Sequence, residues 1–256
     1  MTSAVVTGAS RGIGRGIAVA LAAAGLDIVV SYREDDAAAK YTAELVAGAG
    51  CESVLVAGDV ADAATHAALG DAAEELGELR VWVNNAGVSA LAPVVDTDPS
   101  DMRRMVDVNI TGTFLGLREA VARLRSAAVR GGCVVNIASE LGVQAFPLLG
   151  VYSATKFAVI GLTQAAAQEL APEGIAVNAV CPGTTETEMV AAERRSEAAL
   201  RDVSYNEVRA GYLAAIPAGR FCAPDDVGAL VAYLASPGAA YVTGQSICVN
   251  GGSVLR

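Results

Sequence analysis

Thr7-Gly8-Ala9-Ser10-Arg11-Gly12-Ile13-Gly14 joins a short apolar run, Ser3-Ala4-Val5-Val6, to a segment rich in Ala and Leu. The run reads as a buried strand, and the segment after it as a helix beginning at Gly12. Gly8 allows a tight turn, Gly12 lets backbone N–H groups approach a pyrophosphate, and Gly14 permits close packing of helix on strand. The helix N-terminus adds positive partial charge where phosphates would lie. Ser10, Arg11 and Ile13 complete the turn. No Lys-Ser or Lys-Thr pair follows the glycines, so this is not the phosphate loop of a nucleotide hydrolase. Dinucleotide binding is the expectation.

Outward from this turn, strand and helix alternate. Strands are expected at 3–7, 27–32, 53–57, 81–83, 133–137, 175–180 and 246–249. Helices are expected at 12–24, 35–46, 62–76, 100–127, 152–170 and 224–235. The strand runs are apolar on both faces, as parallel strands covered by helices are. The pattern predicts an α/β fold: one domain over 1–256, a doubly wound (Rossmann) seven-stranded parallel sheet flanked by helices. The stretch 184–217 is polar, charged and long for a connection, and is expected to be a substrate lid.

Hydrophobic residues make up 53% of the chain but aromatic ones only 5%, so its apolar content is Ala, Val, Leu and Ile, suited to close helix-on-sheet packing. A formal net charge of −10 excludes the basic face that nucleic acid needs. The five cysteines are scattered without C-x-x-C spacing and read as reduced, buried thiols. The single histidine, His66, lies in an Ala-rich helix without neighbouring ligands; it is expected to face solvent, against a zinc site or His-based triad. Strand-like sequence starts at Ser3 and no apolar run reaches about 18 residues, so the expectation is a cytoplasmic protein without a membrane partner.

The end of the second strand normally carries an acid for the adenosine ribose when the cofactor is NAD. Tyr32 and Arg33 stand there instead. An arginine suits a 2′-phosphate through charge-assisted bonds, and Arg11 could reach the same phosphate from the glycine turn. NADP(H) is therefore expected over NAD(H), with Glu34, Asp35 and Asp36 as the opposing charges.

Tyr152 and Lys156 lie four residues apart on one face of the helix expected at 152–170. A phenol keeps its proton until a pH of about 10. An ammonium nearby favours the phenolate, which makes the pair a candidate acid/base couple.

With the glycine turn, Asn84-Asn85-Ala86-Gly87 after the fourth strand and Tyr152-x-x-x-Lys156, the chain resembles the short-chain dehydrogenase/reductase family. Asp59-Val60, Asn109, Ser139, Pro182-Gly183 and the closing Tyr241-Val242-Thr243-Gly244-Gln245 extend the match over essentially the whole chain. The resemblance implies hydride transfer between nicotinamide C4 and a substrate carbon, interconverting a secondary alcohol and a ketone without a metal. It implies that Tyr152 exchanges the proton with the substrate oxygen, Lys156 tunes Tyr152 and holds the nicotinamide ribose, and Ser139 stabilises charge on that oxygen. Asn109 is expected at a backbone kink that holds a water leading to Lys156. Asp59 and Val60 would cradle adenine; Asn85, Ala86 and Gly87 would border the nicotinamide-side ribose. Thr185 and Thr187, after Pro182-Gly183, would contact the carboxamide and diphosphate. A homotetramer, or a dimer, pairing the outer faces of the 100–127 and 152–170 helices, is implied as well.

Substrate identity is less legible. Glu140, Gln144, Phe146 and Met189 are candidate pocket residues, Glu140 either facing a polyol or pointing outward to a basic partner. The mixed charges of 184–217, Arg194 among them, read as a solvated helical face. A small polar alcohol, polyol or ketone is the expected substrate class. The main alternative is a 3-oxoacyl-[acyl-carrier-protein] reductase, with Arg118, Arg123, Arg125 and Arg130 as docking charges opposed by Pro172 and Glu173. A non-catalytic dinucleotide-binding protein is the alternative from another class, and it should lack Ser139, Tyr152 or Lys156.

Overall fold

The computed structural model describes residues 2–126 and 131–255. Seven strands form one parallel sheet: β1 (Thr2–Val6), β2 (Asp27–Tyr32), β3 (Ser53–Ala57), β4 (Glu78–Asn84), β5 (Gly132–Ile137), β6 (Ile175–Pro182) and β7 (Ser246–Val249). Their order across the sheet is β3-β2-β1-β4-β5-β6-β7. Helices α1 (Gly12–Ala23), α2 (Asp36–Gly48), α3 (Ala63–Leu76), α4 (Pro99–Met105), α5 (Gly112–Ser126), α6 (Gly150–Leu170) and α9 (Pro224–Leu234) cover the two faces, and α7 (Glu188–Arg201) and α8 (Tyr205–Ala214) occupy 184–217.

The alternation of side chains along a strand explains why the apolar runs carry no polar face. Ala4 and Val6 point into a layer with Ile17 and Leu21 of α1 and Val227 and Val231 of α9. Val5, between them, joins the opposite layer with Leu69 of α3, Leu117 of α5 and Ala166 of α6. Both layers are needed because right-handed crossovers place helices on both sides. A chain of buried polar side chains runs along one face of the sheet: Trp82 Nε1 donates to Asn84, Asn84 to Asn136, and Asn136 to Thr163 on α6, each at 2.9 Å. That chain fixes α6 against β5, and α6 carries Tyr152 and Lys156.

Helix starts follow local chemistry. Asp35 caps α2 by accepting from Ala38 N at 3.0 Å, and Asp62 caps α3 from Ala64 N at 2.9 Å. Strand β4 begins at Glu78, earlier than expected, because Thr2 pairs with Glu78 at the sheet's lower edge. The helix expected at 100–127 is not one regular helix: residues 106–111 form a π-helical turn between α4 and α5. Ala127 and Arg130 lie outside the described residues. His66 corrects its expectation, being buried, stacked on Trp82 and bonded through Nε2 to the Val60 carbonyl at 2.8 Å. No helix among the described residues is long and apolar enough to cross a membrane.

Candidate active site

The strand order reverses between β1 and β4, and the loops after these strands open a crevice at the carboxyl end of the sheet. Gly8 and Gly12 hold φ of 63° and 54°, where L side chains are strained. Gly14 has no room for a side chain, since a Cβ there would lie 2.2 Å from the Gly8 carbonyl oxygen. Helix α1 starts without a side-chain cap and without an acid in its first turn, so its N-terminal amides face the glycine turn uncompensated. This cradle fits a dinucleotide pyrophosphate. Ser10 is buried in the turn, with its carbonyl accepting from Thr42 Oγ1 at 3.1 Å; Ile13 packs into the core below. The Asn85 side chain faces the glycine turn: Nδ2 donates to the Thr7 and Gly8 carbonyls at 2.8 and 3.1 Å and locks the turn to the β4 loop. Ala86 N donates to Thr7 Oγ1 at 3.0 Å from the same loop.

Asp59, expected to cradle adenine, is exposed after β3 and accepts from Ala61 N at 2.9 Å, while Val60 is buried beside it. The arginines expected to meet a 2′-phosphate are exposed and paired with acids. Arg11 Nη1 lies 2.8 Å from Glu188 and 3.9 Å from Asp35, and Arg33 Nε lies 2.7 Å from Glu34. Tyr32 donates its hydroxyl to Asp36 at 2.9 Å.

At the other end of the crevice, Asn109 sits fully buried within the π turn. Its Oδ1 accepts from Val88 N and its Nδ2 donates to Val88 O, both at 2.9 Å; Nδ2 also donates to Thr155 on α6 at 3.0 Å. The widened turn swings this amide toward the loop after β4, the kind of local departure often found at functional sites. Gly87 is wedged between Asn109 and Lys156, a Cβ there falling 3.4 Å from Asn109 Oδ1 and 3.5 Å from Lys156 Nζ.

Lys156 Nζ donates to the Ile137 carbonyl at 2.9 Å and stands 5.6 Å from the Tyr152 ring centroid. Burial pushes the ammonium pKa down to about 8. The Tyr152 hydroxyl moves opposite to the expected direction: burial, with the Glu193 charge, holds it well above the usual phenol range, and the nearby Ser139 hydroxyl pulls it part of the way back. Ser139 Oγ also accepts from Leu141 N at 3.1 Å, at the start of the loop after β5.

Pro182 ends β6, and Gly183 N donates to Val249 O at 2.9 Å. Thr185 is buried, and its hydroxyl donates to the Gly183 carbonyl at 2.9 Å. Thr187 caps α7, and a Cβ on Gly12 would lie 3.3 Å from its Cγ2, so α7 begins above the glycine turn.

Of the pocket candidates, Gln144, Phe146 and Met189 are exposed. Glu140 follows neither expectation. It is buried and accepts from the Ser253 hydroxyl, with Asn250 and the Thr184 backbone also holding it, and burial raises its carboxyl pKa. Arg194 corrects the solvated reading of its helix. It is 1% exposed, with its guanidinium 4.1 Å from the Phe221 ring centroid and Nη1 on Glu186 at 3.3 Å. Two residues that carry no sequence signal also reach the site: Glu193 of α7 and Ser89, whose hydroxyl donates to the Glu193 carboxylate.

The profile of a family described as "Enoyl-(Acyl carrier protein) reductase" matches residues 8–253. The chain is 41% identical to an L-2,3-butanediol dehydrogenase of Corynebacterium glutamicum, over 99% of this chain and 98% of the relative. It is 37% identical to a 3-oxoacyl-[acyl-carrier-protein] reductase of Staphylococcus aureus, with the same two shares covered. A solved structure of an actinorhodin polyketide ketoreductase variant with NADPH superposes with a TM-score of 0.92 at 37% identity, over 98% of this chain and 97% of that one. With the glycine turn, the parallel sheet and the Ser139, Tyr152 and Lys156 set in place, the chain belongs to the short-chain dehydrogenase/reductase family of NAD(P)(H)-dependent oxidoreductases acting on CH–OH groups.

Proposed function

We propose that the protein interconverts a small polar secondary alcohol or polyol and its ketone, with NADP(H) as the favoured cofactor and 184–217 as the lid. The observation that carries this reading is the convergence of Ser139, Tyr152 and Lys156 on one end of the crevice, backed by Asn109. The cofactor, when bound, supplies or accepts hydride at nicotinamide C4. Tyr152 gives its proton to the carbonyl oxygen in reduction and takes it back in oxidation. Ser139 donates a hydrogen bond to the same oxygen as charge develops there. Lys156 holds the ribose hydroxyls and brings a positive charge to the Tyr152 side of the site. Asn109 holds Val88 and α6 in register, and the π turn around it would hold a water leading toward Lys156.

Burial keeps the Tyr152 proton in place at neutral pH but makes the phenol a weaker donor, and the Ser139 hydroxyl bonded to it works against that loss. Arg11 and Arg33 support NADP(H), because exposed ion pairs such as theirs are worth only about 0–1 kcal/mol and yield readily to a phosphate. The carrier-protein alternative fits less well. Arg123 is held by Asp71, Glu74 and Glu119, and Arg125 by both oxygens of Glu173. Two of the candidate docking arginines are thereby held by acids, while Arg118 is exposed.

A rate survey of ketones, polyols, secondary alcohols and a 3-oxoacyl thioester with both cofactors tests the reading. The expected result is turnover of small oxygenated ketones above the thioester, faster with NADPH. Preference for the thioester would move the assignment to the carrier-protein class.

A further inference from the structure

We propose that Glu193 selects the substrate: its carboxylate accepts a hydrogen bond from a hydroxyl on the carbon next to the reacting one, so the site prefers vicinal diols and α-hydroxyketones to simple alcohols and ketones. The inference rests on the alcohol–ketone reading above and names the substrate class within it.

Glu193 projects from α7, and its Oε1 takes the Ser89 hydroxyl across 104 positions of sequence. Ser89 follows Val88, whose amide and carbonyl are both held by Asn109. The lid carboxylate is thereby fastened to the same wall of the crevice that carries Gly87 and faces Lys156. It also lies near enough to the Tyr152 hydroxyl for its charge to help raise that group's pKa.

The other glutamates at 186–197 are paired, and Glu207 caps α8 through Ser204. Glu186 pairs with Arg194 and Arg209, Glu188 with Arg11, and Glu197 with Arg201 and the Tyr212 hydroxyl. Glu193 has no ion pair among the described residues, and Oε2 takes no hydrogen bond there. A carboxylate in this position is half-buried and partly stripped of water, which raises its own pKa. Such an acceptor gains most from a donor brought by the substrate, because low local dielectric strengthens the bond and penalises its absence. A site built around a substrate hydroxyl discriminates strongly against the analogue without it. The same charge repels substrates with a carboxylate at that position.

The test compares kcat/KM for 3-hydroxy-2-butanone and 2-butanone, with NADPH and with NADH, in wild type, Glu193→Gln and Ser89→Ala. The expected result is a wild-type preference for the hydroxyketone that falls tenfold or more in Glu193→Gln, mostly through KM. Ser89→Ala removes the anchor and keeps the carboxylate, and should retain the preference within about threefold. Parallel loss on both ketones in Glu193→Gln, or equal loss of preference in Ser89→Ala, assigns Glu193 to lid anchoring and overturns the proposal. A wild type that takes both ketones equally overturns the substrate class alone. No turnover of either ketone with either cofactor overturns the alcohol–ketone reading beneath it.

Discussion

Lys156 donates to the Ile137 carbonyl at 2.9 Å while standing 5.6 Å from the centroid of the Tyr152 ring. An ammonium in that place is held by one carbonyl and little water, and its pKa falls to about 8 from an ordinary 10.5. Below pH 8 the group is charged in both folded and unfolded chains, and the folded state bears the whole burial penalty. As pH rises from about 8 to 10.5 the folded lysine has lost its proton and the unfolded one has not, so stability rises through that window.

Lys156→Met should therefore stabilise the cofactor-free protein at pH 7 while abolishing turnover. The relieved penalty is about 3 kcal/mol at most, and the unpaired Ile137 carbonyl returns about 1–2 kcal/mol of it. Thermal unfolding of both proteins at pH 7 and pH 10 checks this: the variant's advantage should shrink at the higher pH. A less stable variant at pH 7 contradicts it.

Gly14→Ala should damage the cofactor cradle directly. Its Cβ would sit 2.2 Å from the Gly8 carbonyl oxygen and 2.5 Å from Asn85 Nδ2, so the turn must shift as a unit. A rise of tenfold or more in the NADPH dissociation constant, with a lower unfolding temperature, is the expected outcome by fluorescence titration and calorimetry.

At the adenosine end, Arg33→Ala and Arg11→Ala each remove a cation but leave Asp35 and Asp36 in place. The double variant should bind NADPH at least tenfold more weakly and NADH within about threefold of wild type. Equal weakening of both cofactors would show that these side chains do not meet the 2′-phosphate.

How far the sequence reached depended on whether a feature was local. The Val5 and Val29 runs, the glycine turn and the Asp35 and Asp62 caps are local, and each strand or helix formed close to where its pattern placed it. Non-local contacts were not legible. The burial of His66 depends on Trp82 and the Val60 carbonyl, and that of Arg194 on Phe221 and Tyr212. Ser89 and Glu193 meet only because α7 folds over the β4 loop. The π turn around Asn109 has no residue-type signature, since the same side chains suit an ordinary helix. Spacing alone predicts that Lys156 lowers the Tyr152 pKa, and spacing does not contain the burial and the Glu193 charge that raise it.

Phe114 on α5 and Phe157 on α6 are 47% and 42% exposed, and Met102 on α4 is 50% exposed. Apolar surface of this kind on the outer helices fits a two-fold pairing of copies. Light scattering should give a mass of four chains, or two, and Phe114→Asp with Phe157→Asp should reduce it. A monomer independent of concentration would end the idea.

The role of Tyr152 as the proton donor is tested most directly by Tyr152→Phe, assayed for NADPH-dependent ketone reduction beside its NADPH dissociation constant. The account predicts a loss of about 10² or more in kcat/KM, with cofactor affinity within about threefold of wild type. Turnover within about tenfold of wild type would contradict it.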